Sequence, residues 1–160
     1  MDSFWLAIES SWIAAEIGAT WWFPLIESVH VLSITFMLGA IVMLDLRLLS
    51  WAALAYSIER MSKELVPWSA MAFVVASVTG VGMFITRASA HVDNPALQIK
   101  LLLLAAAGCN IAYCHSKVLP TLASVDDKQP VSLKARMCAA LSLSLWCGVM
   151  LAGRWIGHII

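Results

Sequence analysis

Four apolar stretches of about 20 residues each, at 24–44, 67–86, 96–119 and 137–158, leave this chain few ways to fold. A helix rising about 1.5 Å per residue needs about 20 such residues to cross the ~30 Å hydrocarbon core of a bilayer. Lipid is the natural partner: 61% of the residues are hydrophobic and 12% charged, and a soluble fold of 160 residues cannot bury that much apolar surface. Proline punctuates the pattern. Pro24, Pro67 and Pro95 stand where spans should start and a missing N–H is harmless, and Pro120 stands where the third should stop. The expected fold class is all-α, an integral membrane four-helix bundle over 21–160 preceded by an amphipathic interfacial helix over 1–20.

With four spans, the links 45–66 and 121–136 share one side of the membrane. That side carries Arg47, Arg60, Lys63, Lys117, Lys128, Lys134 and Arg136, seven of the ten basic residues, against Arg87, Lys100 and Arg154 on the other. Basic residues stay cytoplasmic, so both termini are expected on the periplasmic side. Trp21, Trp22 and Phe23 at one interface, with Trp51 and Trp68 at the other, match aromatic belts.

The first 20 residues lack the basic start of a secretory signal, and Asp2, Glu9 and Glu16 recur every seven residues. That spacing puts the acids on one helical stripe, with Phe4, Ala7, Ile8 and Ala14 opposite and Trp5 and Trp12 at headgroup level. The stretch with Asp126, Asp127, Lys128 and Pro130 reads as a solvated connector. Small residues four apart, such as Ala76 with Gly80 and Gly148 with Ala152, let neighbouring helices approach. Net charge is zero and no basic run alternates with aromatics, which excludes nucleic acid as a partner.

Ionisable groups inside spans are costly and therefore candidates for function. Arg87 with His91, and Arg154 with His158, close two spans at i, i+4 spacing on the outer side, near Glu27, His30 and Lys100. Imidazoles for the axial positions of iron and guanidiniums for propionates are what haem b requires, so His30, His91, His158, Arg87 and Arg154 form the expected cofactor site. Snorkelling arginines and merely wet histidines explain the same pattern. His30 lies about 9 Å inside the outer boundary, counted from Pro24, and a buried histidine satisfied by Glu27 or a carbonyl is an equal alternative to a ligand. His115 lies about 8 Å from the inner boundary, so it and His30 cannot share one iron.

Near His115 gather Cys114, Cys138, Met137, Asp45 and Arg47. Soft sulfur with imidazole suits copper or another thiophilic metal, which makes His30, His115 and Cys114 the candidate metal ligands. Cys114 and His115 are adjacent and point about 100° apart on a helix, which makes joint ligation awkward. Asp45 and Arg47 suit a polar anchor or a salt-bridged turn first, and a contact to a quinone head second. Cys109 and Cys147 share a mid-membrane depth and read as small filler. There is no CxxC, CxxCH, nucleophile elbow or phosphate loop.

The run Phe23-Pro24-Leu25-Ile26-Glu27-Ser28-Val29-His30-Val31-Leu32, followed by Asp45-Leu46-Arg47-Leu48-Leu49, resembles an uncharacterised family of small four-span bacterial inner-membrane proteins. Val66-Pro67-Trp68, Thr79-Gly80, Asn94-Pro95, Lys100, Asn110 with His115, Ser142-Leu143 with Leu145-Trp146, and Gly153-Arg154 extend the likeness along nearly the whole chain. The resemblance implies a fold and a bacterial membrane location but no activity. His30, Asp45, Arg47, His115 and Arg154 match its pattern; His91 and His158 fall outside it. The expected function is a small b-type cytochrome-like subunit passing electrons between quinone and a redox partner. The alternative is a cofactor-free accessory subunit of a larger membrane complex, and either would work beside other membrane subunits.

Overall fold

The computed structural model describes residues 2–123 and 130–158. Among the described residues there is no strand. Two short helices, α1 (Asp2–Glu9) and α2 (Trp12–Ala19), lead into α3 (Trp22–Leu48) and α4 (Ile58–Ile85). The short α5 (Ala88–Val92) precedes α6 (Pro95–Tyr113), a π turn at Cys114–Val118, α7 (Leu119–Ala123) and α8 (Leu133–Trp155). Four helical stretches, Trp22–Leu48, Ile58–Ile85, Pro95–Thr121 and Leu133–His158, are long and apolar enough to cross a membrane. The protein is a multi-pass, all-α membrane bundle. The stretch with Asp126, Asp127 and Lys128 lies outside the described residues.

Side-chain caps set where these helices begin. The Ser57 hydroxyl accepts from the Arg60 N–H at 3.1 Å, and Ser132 accepts from Ala135 N–H at 3.4 Å. Asn94 Oδ1 accepts from Ala96 N–H at 2.9 Å, with Pro95 in the first helical position, where no N–H is required. The α4 start differs from expectation: Pro67 lies inside the helix, which begins at Ser57 rather than at the proline. The prefix 58–66 holds its helical form through the Ser57 cap and two i, i+4 ion pairs, Lys63 to Glu59 at 2.6 Å and Arg60 to Glu64 at 2.9 Å. A proline can be carried there because its lost hydrogen bond falls in the polar, solvent-reachable part of the helix.

The amphipathic start is two helices rather than one. Ser11 caps α2 through the Ala14 N–H at 3.3 Å, so the axis breaks at Ser10 and Ser11. α1 leans on α5, and α2 on α3 and α4. Trp5 meets Phe84 edge-on at 5.8 Å, and Ala14 is fully enclosed.

The long helices pack in the order α4, α3, α8, α6: α3 runs along α4, α8 along α6, and α3 against α8 joins the two pairs. α4 and α6 stay largely apart. Glycines mark close approaches, since a Cβ on Gly80 would stand 3.2 Å from the His30 ring and one on Gly148 3.1 Å from Leu103. Asparagines fasten α6 to α8 at both ends: Asn94 Nδ2 donates to the Ile156 carbonyl and Asn110 Nδ2 to the Cys138 carbonyl, each at 3.1 Å. One core cluster centres on Leu48, Met61, Val118 and Ala139, and another on Met37, Ala107, Trp146 and Val149.

Candidate functional site

The gap between α4 and α6 contains a cavity of about 260 Å³, floored by α3 and α8. Met37, Ile41, Phe73 and Leu104 make its wall mostly apolar. α3 contributes Asp45, α6 contributes Asn110 and the π turn Cys114, while α8 contributes Cys138, Ser142 and Trp146. A small set of polar groups converging in an apolar hollow is the usual make-up of a ligand site.

Two of those groups lack partners. Asp45 is 6% exposed and Trp146 5%, yet Asp45 Oδ2 and Trp146 Nε1 have no hydrogen-bond partner among the described residues. The Ser142 hydroxyl lies beside the Asp45 carboxyl. Leaving a buried donor or acceptor unmet costs about 1–3 kcal/mol each, so a fold keeps such atoms where something else satisfies them. The cavity therefore presents an indole N–H that can only donate and a carboxyl that accepts, or donates when protonated. Arg47, two residues on, is no counter-ion in hand: it is buried, and its Nε donates to the Tyr56 carbonyl at 2.8 Å. That bond braces the loop at 49–57, where Ser50 and Ala53 take left-handed backbone angles of 62° and 55°.

At the opposite end of α3, His30 Nδ1 stands 2.9 Å from Thr79 Oγ1. The Thr79 hydroxyl has one proton, directed at the Val75 carbonyl at 2.7 Å, so the network assigns the Nδ1 proton to His30 and leaves its Nε2 as an acceptor. The half-buried Lys100 ammonium lies within electrostatic reach of this ring, and a Cβ on Gly153 would come within 3.4 Å of it. A family model covers residues 7–159 of the chain. The chain belongs to DUF6644, a family of unknown function. Neither the curated proteins nor the solved structures give a match.

In this DUF6644 member the remaining outer candidates go to separate partners. His91 stacks on Phe84 with ring centroids 6.1 Å apart, and its buried Nδ1 has no partner among the described residues. Burial, reinforced by the Arg87 charge, holds the His91 imidazole below its ordinary pKa. Beside it Glu9 Oε2 accepts from the Ser89 N–H at 3.1 Å and from the Ser89 hydroxyl, which lowers the carboxyl's pKa and docks α1 on α5. His158 is exposed, with Nδ1 at 3.2 Å from the Arg154 carbonyl and its ring against Trp155; the Arg154 side chain is exposed as well.

A bis-imidazole haem fits this arrangement poorly. His30 sits at the level of Thr79 and Gly80, whereas His91 sits by Phe84, four to five residues and so about 6–8 Å further along α4. His158 is likewise five residues, about 8 Å, past the Gly153 that packs on Lys100. Two axial nitrogens must lie only about 4 Å apart, twice a ~2 Å metal–nitrogen bond. The metal candidates divide between the two ends. His30 is at one end of the bundle; His115 at the other is exposed yet lines the cavity, as Cys114 does, with Nδ1 3.3 Å from the Ile111 carbonyl. Among the described residues no three His, Cys, Asp or Glu side chains form a metal-holding group. Cys114 packs against the cluster that holds Cys138, and Cys109 and Cys147 are exposed. The sequence marks Asp45 as a polar anchor, a salt-bridged turn or a contact for a quinone, and carries no signal for Trp146 or Ser142. Their chemistry appears only where α8 crosses α3.

Proposed function

We propose that this DUF6644 protein is a small subunit of membrane electron transfer that binds a quinone head in the cavity between α4 and α6. The observation that carries the reading is the pair of unmet buried atoms, Asp45 Oδ2 and Trp146 Nε1, in one apolar cavity bordered by two membrane-crossing helices. A quinone carbonyl accepts from the indole, and a quinol hydroxyl donates to the carboxyl. The head is neutral, which suits a site where no cation among the described residues pairs with Asp45; a phosphate would meet that carboxyl at close range with none of them to offset it. The volume of about 260 Å³ lies just under the ~300–1,000 Å³ of drug-sized pockets, enough for a ring with its tail left in the bilayer.

The seven-to-three distribution of basic residues supports a bacterial cytoplasmic membrane with both termini periplasmic, and hence a quinone site in the inner half. Haem b is not needed for this binding. The test is the melting temperature of the purified protein in lipid nanodiscs with a short-tailed benzoquinone, its quinol, or extra phospholipid. Stabilisation by the quinone pair and not by phospholipid is expected. A protein indifferent to all three is a cofactor-free accessory subunit instead.

A further inference from the structure

Cys114 and Cys138 come from different elements, the π turn after α6 and the first part of α8, yet Cys114 packs against the core cluster that holds Cys138 and the two thiols lie within electrostatic reach of each other. Both line the cavity, and both are free. Asp45 lies within electrostatic reach of Cys114, and its Oδ2 is unmet. Asn110, which also lines the cavity, holds the Cys138 carbonyl at 3.1 Å and so fixes where that sulfur stands. Cys114 opens the π turn, a segment with one extra residue in its hydrogen-bonded ring. Such turns recur at functional sites.

We infer that Cys114 and Cys138 are a redox-active dithiol facing the cavity, which reduces a bound quinone by two electrons and becomes a disulfide. The inference rests on the quinone reading of the same cavity. Burial normally keeps thiols inert toward reagents in water, but a quinone entering from the bilayer arrives on their side. The chemistry balances without another co-reactant. Asp45 takes the Cys114 proton, and the thiolate sulfur bonds to a quinone ring carbon. Cys138 sulfur then attacks Cys114 sulfur, giving up its own proton. The sulfur–sulfur bond forms as the sulfur–carbon bond breaks, and that electron pair stays with the ring. The two thiol protons, one by way of Asp45, end on the two quinone oxygens. Two thiols and one quinone thus become one disulfide and one quinol, with the cysteines oxidised and the quinone reduced.

The test uses the full chain in nanodiscs, reduced and then freed of reductant, with a short-tailed benzoquinone as the probe. Quinol is followed by absorbance, and the four cysteines by alkylation and peptide mass spectrometry. The expected result is one quinol per protein and one Cys114–Cys138 disulfide, with Cys109 and Cys147 still alkylated. Cys114→Ser and Cys138→Ser each reduce quinol formation to that of empty discs, while Cys109→Ser and Cys147→Ser leave it unchanged. Quinone that stabilises the protein but leaves both thiols alkylatable, or remains attached as a stable adduct, overturns the dithiol and spares the binding site. Quinone that neither stabilises the protein nor oxidises its thiols overturns both. Should the serine variants misfold, the untouched chain still decides the matter through its own thiol count.

Discussion

Replacing Trp146 by Phe separates a packing role from a binding role, because the two have opposite signs. Without ligand, the indole N–H is buried and unmet, at a cost of about 1–3 kcal/mol that Phe removes. The smaller ring leaves roughly 40 Å³ unfilled, which at about 24 cal/mol per Å³ takes back about 1 kcal/mol. Trp146→Phe is therefore expected to melt at the parent's temperature or slightly above. With quinone at about 100 times its dissociation constant, linkage stabilises the parent by about 2.7 kcal/mol, and in a chain this long that is a rise of roughly 5–11 °C. Losing one hydrogen bond of about 1.4 kcal/mol weakens binding about tenfold, which at the same concentration halves the rise. The assay is a pair of melting curves for each protein in nanodiscs, with and without the quinone. A variant that melts normally alone and shows the full ligand-induced rise would refute the role given to the indole.

Three further perturbations probe the frame around the cavity. Ser57→Ala removes the cap on α4 and should cost about 1 kcal/mol, seen as faster hydrogen exchange confined to 58–66, which would remain unchanged if Pro67 were the true start. Gly80→Ala puts a Cβ 3.2 Å from His30 and should cost about 1–3 kcal/mol while moving the His30 ring off Thr79; an imidazole NMR signal identical to the parent's contradicts the close approach. For α1, acid should loosen docking. His91 has a lowered folded pKa, so its contribution is present above its ordinary 6.5 and lost as pH falls through the folded value. Glu9, also lowered, contributes above 4.5 and stops contributing below its folded value. Amide exchange across 2–19 should therefore rise between pH 7.5 and 5 and again below 4.5; protection constant over that range rules out the latch.

The apolar stretches were legible because lipid imposes length and composition on each span separately, and the bundle needed no more than that. Helix ends were less legible. Pro67 reads as a start by its missing N–H, but the Ser57 cap and the charged prefix carry the helix past it. Asp2, Glu9 and Glu16 read as one wet stripe, yet Ser11 splits the helix and Glu9 turns to Ser89, a partner 80 residues away. The cavity was legible at Asp45, whose charge inside a span is conspicuous in one dimension, and at Cys114, His115 and Cys138, which residue counting places at the same end of the bundle. Trp146 and Ser142 look like ordinary bundle residues until α3 is laid against α8. The outer histidines share a side of the membrane by residue count, but a count fixes neither depth to a few ångströms nor azimuth, and His30, His91 and His158 lie against Thr79, Phe84 and Trp155 respectively.

Along α3, His30 and Asp45 are 15 residues apart, which is about 22 Å of helix. Both turn toward other helices, His30 to Thr79 on α4 and Asp45 to the interior beside Ser142. Hydrogen bonds reach about 3 Å, and the side chains between them on the cavity side, Met37, Ala40, Ile41 and Leu44, offer no proton donor and only the weak thioether acceptor of Met37. No proton relay links the two ends through the side chains of that face. A proton exchanged at the Asp45 end therefore comes from that half of the bundle or from whatever enters between α4 and α6. On the quinone reading, the two thiols, the Asp45 carboxyl and the Trp146 indole around one cavity are the groups that take part. A haem held by the outer histidines would stand a membrane half away from it.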